Sequence, residues 1–221
     1  MERKLSAQQR VEILDAWGIA GRPRDEQIIM LYEKVRDIPF GSIGSRDPYD
    51  VYRANKGTCS GKNFLIKELL NEIGVKTKDM ICLQRWKDLT WFPDDEYGVV
   101  ELPDHLMKHF EEHEIVDFHN YVKIEREEGW VQLDVTIDAP LKALGFHVVE
   151  DWDGKSDMPL CFVGSHKVWD CGDAGFEKKE ELTAMLPKKI ETDRAAFLKA
   201  MTEWIDEWRN KQKVEYTANT M

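Results

Sequence analysis

The sequence has no long hydrophobic run and no excess of positive charge. Nothing in its 221 residues approaches the ~18 consecutive apolar residues of a membrane span, and its first residues contain no apolar secretion signal. We therefore expect a cytoplasmic protein that does not associate with a membrane. The formal net charge of −11 argues against a nucleic-acid partner, because such proteins present a basic surface to the phosphate backbone.

Cysteine is also scarce. The four thiols, Cys59, Cys82, Cys161 and Cys171, are too few and too unevenly spaced for the disulfide framework of a small secreted protein. Cys161 and Cys171 could pair in an oxidising compartment, but reduced thiols are the better interpretation. The sequence therefore favours reduced, structural thiols at these two positions.

The composition is that of a folded globular protein. Apolar residues make up 42% of the chain and aromatic residues 10%, and a chain of 221 residues can bury one sizeable core. We predict a single α+β domain over residues 1–221, with its core at about 40–165. Helical periodicity predicts N-terminal helices within 6–37 and a C-terminal helix at about 192–211.

One cysteine stands where a turn of small residues runs into a predicted amphipathic helix. Cys59 lies in the segment 57–62, Gly-Thr-Cys-Ser-Gly-Lys, and apolar residues recur at helical spacing from there to Ile73. Gly74 ends this pattern, because glycine readily adopts the left-handed conformation that closes a helix. Cys59 is therefore predicted at a helix N-terminus, where backbone N–H groups and the helix dipole favour a thiolate.

A histidine and an aspartate fall in two predicted strands of one hairpin, residues 115–125 and 130–137. Apolar residues alternate along both strands, which places His119 and Asp134 on the opposite, more polar face of each. Without a bulge, the two side chains share a face only if paired residue numbers sum to an odd value, as for Tyr121 with Asp134. The hypothesis of a His–Asp pair therefore requires that register.

Cysteine, histidine and aspartate in this arrangement are the parts of an activated nucleophile. A free thiol, with a pKa of about 8.5, is only slightly ionised at neutral pH. The helix N-terminus and an ion pair with His119 would both favour the Cys59 thiolate, and Asp134 would orient the imidazole. The backbone N–H of Cys59 would lie where it can donate to the oxyanion of a tetrahedral intermediate.

Three segments surround these residues. Residues 50–62 read Asp-Val-Tyr-Arg-Ala-Asn-Lys-Gly-Thr-Cys-Ser-Gly-Lys, residues 118–124 read Phe-His-Asn-Tyr-Val-Lys-Ile, and residues 129–136 read Gly-Trp-Val-Gln-Leu-Asp-Val-Thr. The first segment leads into the predicted helix that ends at Gly74. In this order, the Gly-x-Cys, the His followed by a strand and the Gly-Trp-x-x-x-Asp-x-Thr resemble the transglutaminase-like superfamily over residues 48–137.

That resemblance implies a papain-like core, in which a central helix carries the cysteine and a facing antiparallel sheet carries the other two residues. It implies Cys59 as nucleophile, His119 as base and Asp134 as the group that orients the base. The expected function is a cysteine-dependent peptidase or amidase that acts through a thioester acyl-enzyme on a peptide, protein or small amide, without a cofactor. Acyl transfer to an amine, as in transglutaminases or arylamine acetyltransferases, and a non-catalytic binding module on the same fold are the alternatives.

The sequence does not single out a side chain that completes the oxyanion hole. Tyr52 and Asn55 precede the cysteine closely, and little separates them as candidates. Trp130, in the motif before the aspartate, is a further candidate for contact with substrate.

An acidic insertion that contains tryptophan and proline occupies residues 86–114. It is either a loop that covers the substrate or a solvated excursion, and the sequence favours neither. Near its end, His105, His109 and His113 recur every four residues, a spacing at which imidazoles can share a zinc ion. The glutamates around them and the lack of a His-Glu-x-x-His motif favour a solvated helix face, so we predict no metal site.

Overall fold

The structure, a computed structural model, describes residues 4–86, 100–161 and 167–219, with side chains as far as residue 214. In chain order its helices are α1 (Ala7–Ala16), α2 (Arg24–Arg36), α3 (Pro48–Ala54), α4 (Cys59–Glu72), α5 (Asp104–Glu112), α6 (Gly175–Ala184) and α7 (Lys188–Asn219). The strands are β1 (Thr77–Arg85), β2 (Val116–Arg126), β3 (Gly129–Leu133) and β4 (Lys167–Gly172). The predicted α+β class is confirmed. Residues 87–99 of the predicted insertion lie outside the described residues.

Two of the helices before the cysteine, α1 and α3, begin at residues whose side chains cap them. Ser6 and Gln9 form a reciprocal capping box at the start of α1. The Asp47 carboxylate accepts from the backbone N–H of Tyr49, 2.8 Å away, and Pro48 occupies the first turn of α3. This short helix leads the chain to Cys59.

Helix α4 begins at Cys59 and is enclosed by the other elements. It ends at Glu72, and Gly74 follows with a φ of +77°, as the sequence predicted. Its middle is buried against α2, α3 and the sheet. A Cβ added to Gly61 would lie 2.6 Å from Cγ2 of Val51, so only glycine permits α3 to pack this closely beside the first turn of α4.

The described strands form one antiparallel sheet in the order β3-β2-β1-β4. The register of β2 with β3 pairs Val122 with Leu133, so paired residue numbers sum to an odd value, as predicted. Strand β3 ends at Leu133 rather than at residue 137. It ends there because Asp134 turns its carboxylate back onto the backbone N–H of Thr136, 3.0 Å away, and this local hydrogen bond replaces the ladder.

The C-terminal third departs most from the sequence-based prediction. Helix α7 spans Lys188–Asn219 instead of about 192–211, and α6 and β4 had not been predicted. Strand β4 pairs with β1 but buries none of its residues fully, so it lacks the apolar alternation that identifies a strand. The ends of α7 are polar, whereas Phe197, Met201 and Ile205 in its middle are fully buried. Periodicity therefore detected only the buried middle of the helix.

Two apolar clusters hold these elements together. One joins α1, α2, α3 and α4 to β2 and β3, and the other joins α7 to α5 and to the segments that contain Phe40, Trp86 and Phe146. Within the described ranges, no helix carries an apolar stretch that is long enough to cross a bilayer.

A fully buried lysine connects three segments beneath the start of α4. The Lys62 ammonium donates to the carbonyl oxygens of Arg36 and Ile38, each 2.7 Å away, and of Thr136, 2.9 Å away. An ammonium group has three N–H donors, and here each meets a carbonyl oxygen. The end of α2, the loop after it and the segment after Asp134 are thereby fixed to α4.

Substitution of Lys62 by methionine should destabilise the fold strongly. Three buried carbonyl groups would lose their donor at about 1–3 kcal/mol each, so the free energy of unfolding should fall by at least about 3 kcal/mol. Urea unfolding measures this loss. Lys76→Met is the matched control, because the Lys76 side chain is 75% exposed, and it should change stability by less than about 0.5 kcal/mol. Equal effects of the two substitutions would contradict a structural role for Lys62.

Candidate active site

Cys59 lies at the wall of a cleft that has a volume of about 710 Å³. The thiol belongs to the first residue of α4 and is only 9% exposed. His119, Gln84, Asp117 and Thr136 also line this cleft. The structure thus brings two of the three predicted catalytic residues to a common cavity large enough for part of a peptide or for a small acyl compound.

The third predicted residue lies directly behind the histidine. Nε2 of His119 is 2.8 Å from Oδ2 of Asp134, and both side chains are buried. The other contacts of the carboxylate come from the backbone N–H of Cys161, 3.1 Å from Oδ2, and from the Thr136 hydroxyl, 2.5 Å from Oδ1. Asp134 is therefore held in one position, and it fixes the orientation of the imidazole.

The charges of this pair reinforce one another. Burial alone would lower the pKa of His119, but the charge of Asp134 and the hydrogen bond to it raise this pKa well above its usual range. Burial raises the pKa of Asp134, but His119, Thr136 and the Cys161 backbone lower it well below its usual range. At neutral pH the imidazole is therefore protonated and the carboxylate ionised.

The pKa of the Cys59 thiol is set by its burial and by two neighbouring cations. Burial of the thiol raises this pKa, but the Lys179 ammonium, together with hydrogen bonding and the charge of His119, outweighs burial and lowers it to about 7. About half of the thiol is thus ionised at neutral pH. A buried thiolate beside an imidazolium is the resting state of many cysteine nucleophiles.

Polar contacts hold the start of α4 against β2. The Ser60 hydroxyl lies 2.6 Å from Oδ1 of Asn120, and the Asn63 side-chain amide donates to the carbonyl oxygens of Cys59 and Asn120, each 2.9 Å away. Asn120 follows His119 in β2. These bonds therefore fix the position of the thiol relative to the imidazole.

A second cysteine approaches the histidine from the side of the aspartate. Sγ of Cys161 lies 3.9 Å from Nε2 of His119, and the ligating atoms of Cys161, His119 and Asp134 all lie within 4.8 Å of one another. A zinc ion could use such a donor set. It would have to displace the hydrogen bond between His119 and Asp134, and burial raises the pKa of Cys161 well above its usual range, which keeps the thiol neutral.

The three residues predicted as candidates for the oxyanion hole or for contact with substrate lie outside the cleft. The ring of Tyr52 packs edge-on against Trp17, with 5.6 Å between centroids, and Asn55 ends α3 in the left-handed conformation with a φ of 45°. Trp130 is 40% exposed on β3, and the Lys78 ammonium lies 4.5 Å from its ring centroid. None of the three predicted residues lines the cleft.

Two polar residues that the sequence did not single out, Gln84 and Asp117, line the cleft. Gln84 of β1 is 2% exposed, lines the cleft, and has no hydrogen-bond partner for either amide atom among the described residues. Its cross-strand neighbour is Asp117, which stands two residues before His119 and therefore on the same face of β2. Alternation along β2 could have identified Asp117. Gln84 could not be identified, because its role depends on the pairing of β1 with β2.

The regularly spaced histidines contribute to the packing of α5 against α7. The ring of His109 meets the ring of Phe197 edge-on, with 5.8 Å between centroids, and Nδ1 of His113 lies 3.2 Å from Asp193. His105 is exposed to solvent. None of them belongs to the His119, Asp134 and Cys161 donor cluster described above.

Comparison with known proteins adds little to this geometry. No family model matches the chain, and no curated protein matches it. A crystal structure of a candidate cysteine protease from Cytophaga hutchinsonii is similar to this chain with a TM-score of 0.38 and 13% sequence identity. The match covers 62% of this chain and 39% of that protein, so the chain spans well under half the length of this structure. At that distance the similarity has no bearing on function.

The pair of His119 and Asp134 should give stability a characteristic dependence on pH. The lowered pKa of Asp134 stabilises the fold above its unfolded value of about 3.9, and the raised pKa of His119 stabilises it below about 6.5. The first contribution declines as pH falls below about 3.9 and is lost as pH falls through the lower, folded pKa of Asp134, and the second declines as pH rises above about 6.5 and is lost as pH rises through the higher, folded pKa of His119. Asp134→Asn should therefore cost most, about 3–5 kcal/mol, between roughly pH 4 and 6.5.

Chemical unfolding of the wild type and of Asp134→Asn between pH 3 and 8 measures this difference. His119→Gln is the matched control, because it removes the other partner and should produce its largest loss in the same pH window. A difference between wild type and variant that stays constant from pH 3 to 8 would contradict a charged pair.

Proposed function

We propose that this chain is a cysteine-dependent peptidase or amidase of the transglutaminase-like type. One observation carries the proposal: the Cys59 thiol and the His119 imidazole face a common cleft, and Asp134 lies 2.8 Å behind the imidazole. The order of the three residues along the chain and the motifs around them support the assignment to that type.

In the proposed reaction, the Cys59 thiolate attacks the carbonyl carbon of a bound amide. His119 then donates its proton to the leaving amine, the C–N bond breaks, and a thioester remains on Cys59. His119 next removes a proton from water, the hydroxide adds to the thioester, and the carboxylic acid leaves as the thiolate returns. Asp134 retains its charge throughout and keeps the imidazole oriented.

Gln84 is the proposed side-chain donor to the oxyanion. Its amide is buried in the same cleft as Cys59, and neither amide atom has a hydrogen-bond partner within the described ranges. The tetrahedral intermediate places negative charge on the former carbonyl oxygen, and donors positioned in advance stabilise that charge without rearrangement. In this proposal the backbone N–H of Cys59 is the second donor.

The pH dependence of Cys59 alkylation by iodoacetamide tests the nucleophile. We expect the rate to reach half of its plateau near pH 7, the pKa that the surroundings give this thiol. His119→Ala should shift the midpoint upward by more than one pH unit, because burial of the thiol would then be opposed chiefly by Lys179. Mass spectrometry of the peptide that contains Cys59 resolves its rate from those of the other thiols.

Cys171 provides a control within the same protein. It is half-buried, and burial, with Asp79 and Asp170 nearby, raises its pKa to about 11, so its alkylation should increase only in strongly alkaline solution. A Cys59 profile that rises only above pH 8 in both wild type and His119→Ala would defeat the proposed ion pair.

Acyl donors distinguish hydrolysis from acyl transfer. A p-nitrophenyl ester should release a burst of nitrophenol equal to the enzyme concentration, and Cys59→Ser should abolish the burst. Subsequent turnover in water gives the carboxylic acid, whereas an added primary amine would divert the acyl group to an amide if transfer is preferred. A product distribution that the amine leaves unchanged is the result expected for a hydrolase.

A further inference from the structure

The inner end of the cleft contains more cations than its structural contacts require. Three basic side chains, Arg46, Lys179 and Arg194, line it together with a single buried carboxylate, Asp117. Arg194 and Lys179 both bind that carboxylate, at 2.6 Å and 3.3 Å from Oδ1. The backbone N–H of Phe118 donates to the same oxygen. Asp117 therefore forms ion pairs with two of the three cations.

Arg46 is the cation that this carboxylate does not account for. The structure gives its guanidinium no hydrogen bond and no ion pair with any described residue, although the side chain is half-buried in the cleft. Burial and the charge of Arg194 lower its pKa, whereas Asp117, Cys59 and Glu180 raise it. The backbone of Arg46 packs against the first turn of α4, where a Cβ on Gly61 would lie 3.7 Å from its Cα. The Arg46 backbone therefore lies beside the helix turn that carries Cys59, and its side chain lines the same cleft.

The other acidic groups of the cleft have different partners. Asp47 accepts backbone N–H groups as the cap of α3, Asp50 accepts from the Ser45 hydroxyl, and Glu203 pairs with Lys199 on the outer face of α7. Glu180 acts on Arg46 but does not line the cleft. Of the three cations, Arg46 is therefore the one whose guanidinium has no described carboxylate within ion-pair distance, although the charges of Asp117, Cys59 and Glu180 act on it.

We propose that Arg46 recognises a carboxylate of the substrate, so that the enzyme acts on acyl compounds that carry a negative charge close to the carbonyl group attacked by Cys59. This inference rests on the function proposed above. A guanidinium offers two parallel N–H donors that match the two oxygens of a carboxylate, and a partly dehydrated cleft strengthens such a pair. The protein as a whole has a net charge of −11 and repels an anion, so the contact must be provided locally.

Two alkylating reagents of nearly equal size test this inference without knowledge of the substrate. Iodoacetate carries a carboxylate and iodoacetamide a neutral amide. With either one, the Cys59 sulfur forms a bond to carbon as the carbon–iodine bond breaks and iodide leaves. The measured quantity is the ratio of the two rate constants at the alkaline plateau, where Cys59 is fully ionised and changes in its pKa no longer affect the rate.

Arg46→Gln should lower the ratio of iodoacetate to iodoacetamide rates about tenfold, since a tenfold change equals about 1.4 kcal/mol and a hydrogen bond to a charged group is worth about that much. Arg46→Lys keeps the charge but loses the paired donors. Its rate ratio should therefore fall between that of the wild type and that of Arg46→Gln. Arg22→Gln makes the same chemical change at an exposed position outside the cleft and should alter the ratio less than twofold.

Different results would contradict carboxylate recognition by Arg46 and the role of Cys59 as the nucleophile. If Arg46→Gln and Arg46→Lys both retain the wild-type ratio, Arg46 does not recognise a carboxylate, whatever the absolute rates are. If wild-type Cys59 reacts with iodoacetamide only above pH 8, the proposed nucleophile fails instead. Thermal melting of each variant establishes that it is folded, and Arg46→Lys gives a usable ratio even if Arg46→Gln does not fold.

Discussion

The Lys62 ammonium holds together the segments on which the site depends. It bonds to carbonyl oxygens from the end of α2, from the loop that leads to Phe40, and from the segment that follows Asp134. Lys62 also lies one turn after Cys59 on α4. The thiol, the loop that forms one wall of the cleft, and the carboxylate behind His119 are therefore positioned relative to one buried amino group. A lysine is suited to this position because its three donors can satisfy three separate chain segments at once.

Two buried groups of charged side chains near the cleft have different consequences. Asp134 and His119 form a pair in which each partner is satisfied by the other. Asp117 instead holds two cations, and Lys179, one of the two, also lowers the pKa of Cys59. The cluster thus stabilises the contact of α6 and α7 with β2, and it also makes the thiol easier to ionise. A change at Asp117 would alter both the packing of these helices and the reactivity of Cys59.

The sequence predicted those parts of the site that depend on local structure. Cys59 could be placed because a turn of small residues and a helical stripe are local signals, and the relation of His119 to Asp134 followed from alternation within one hairpin. Residues such as Gln84 and Arg194 could not be placed, because the first depends on how β1 pairs with β2, and the second depends on where the C-terminal helix docks, which its own periodicity does not specify. Tyr52 and Asn55 are close to Cys59 along the chain, which makes them candidates for the oxyanion hole from sequence alone. The cleft, however, is formed by segments that are distant in sequence.

The dependence of the site on α6 and α7 also affects the order in which its parts become available during synthesis. Lys179 follows His119 by 60 residues, an interval of roughly 3–12 s at a synthesis rate of about 5–20 residues per second. During that interval Cys59 and His119 have been synthesised, but the ammonium group that lowers the pKa of the thiol has not. The nascent chain therefore carries a weaker nucleophile than the folded protein, and full reactivity awaits the emergence of its last two helices from the ribosome.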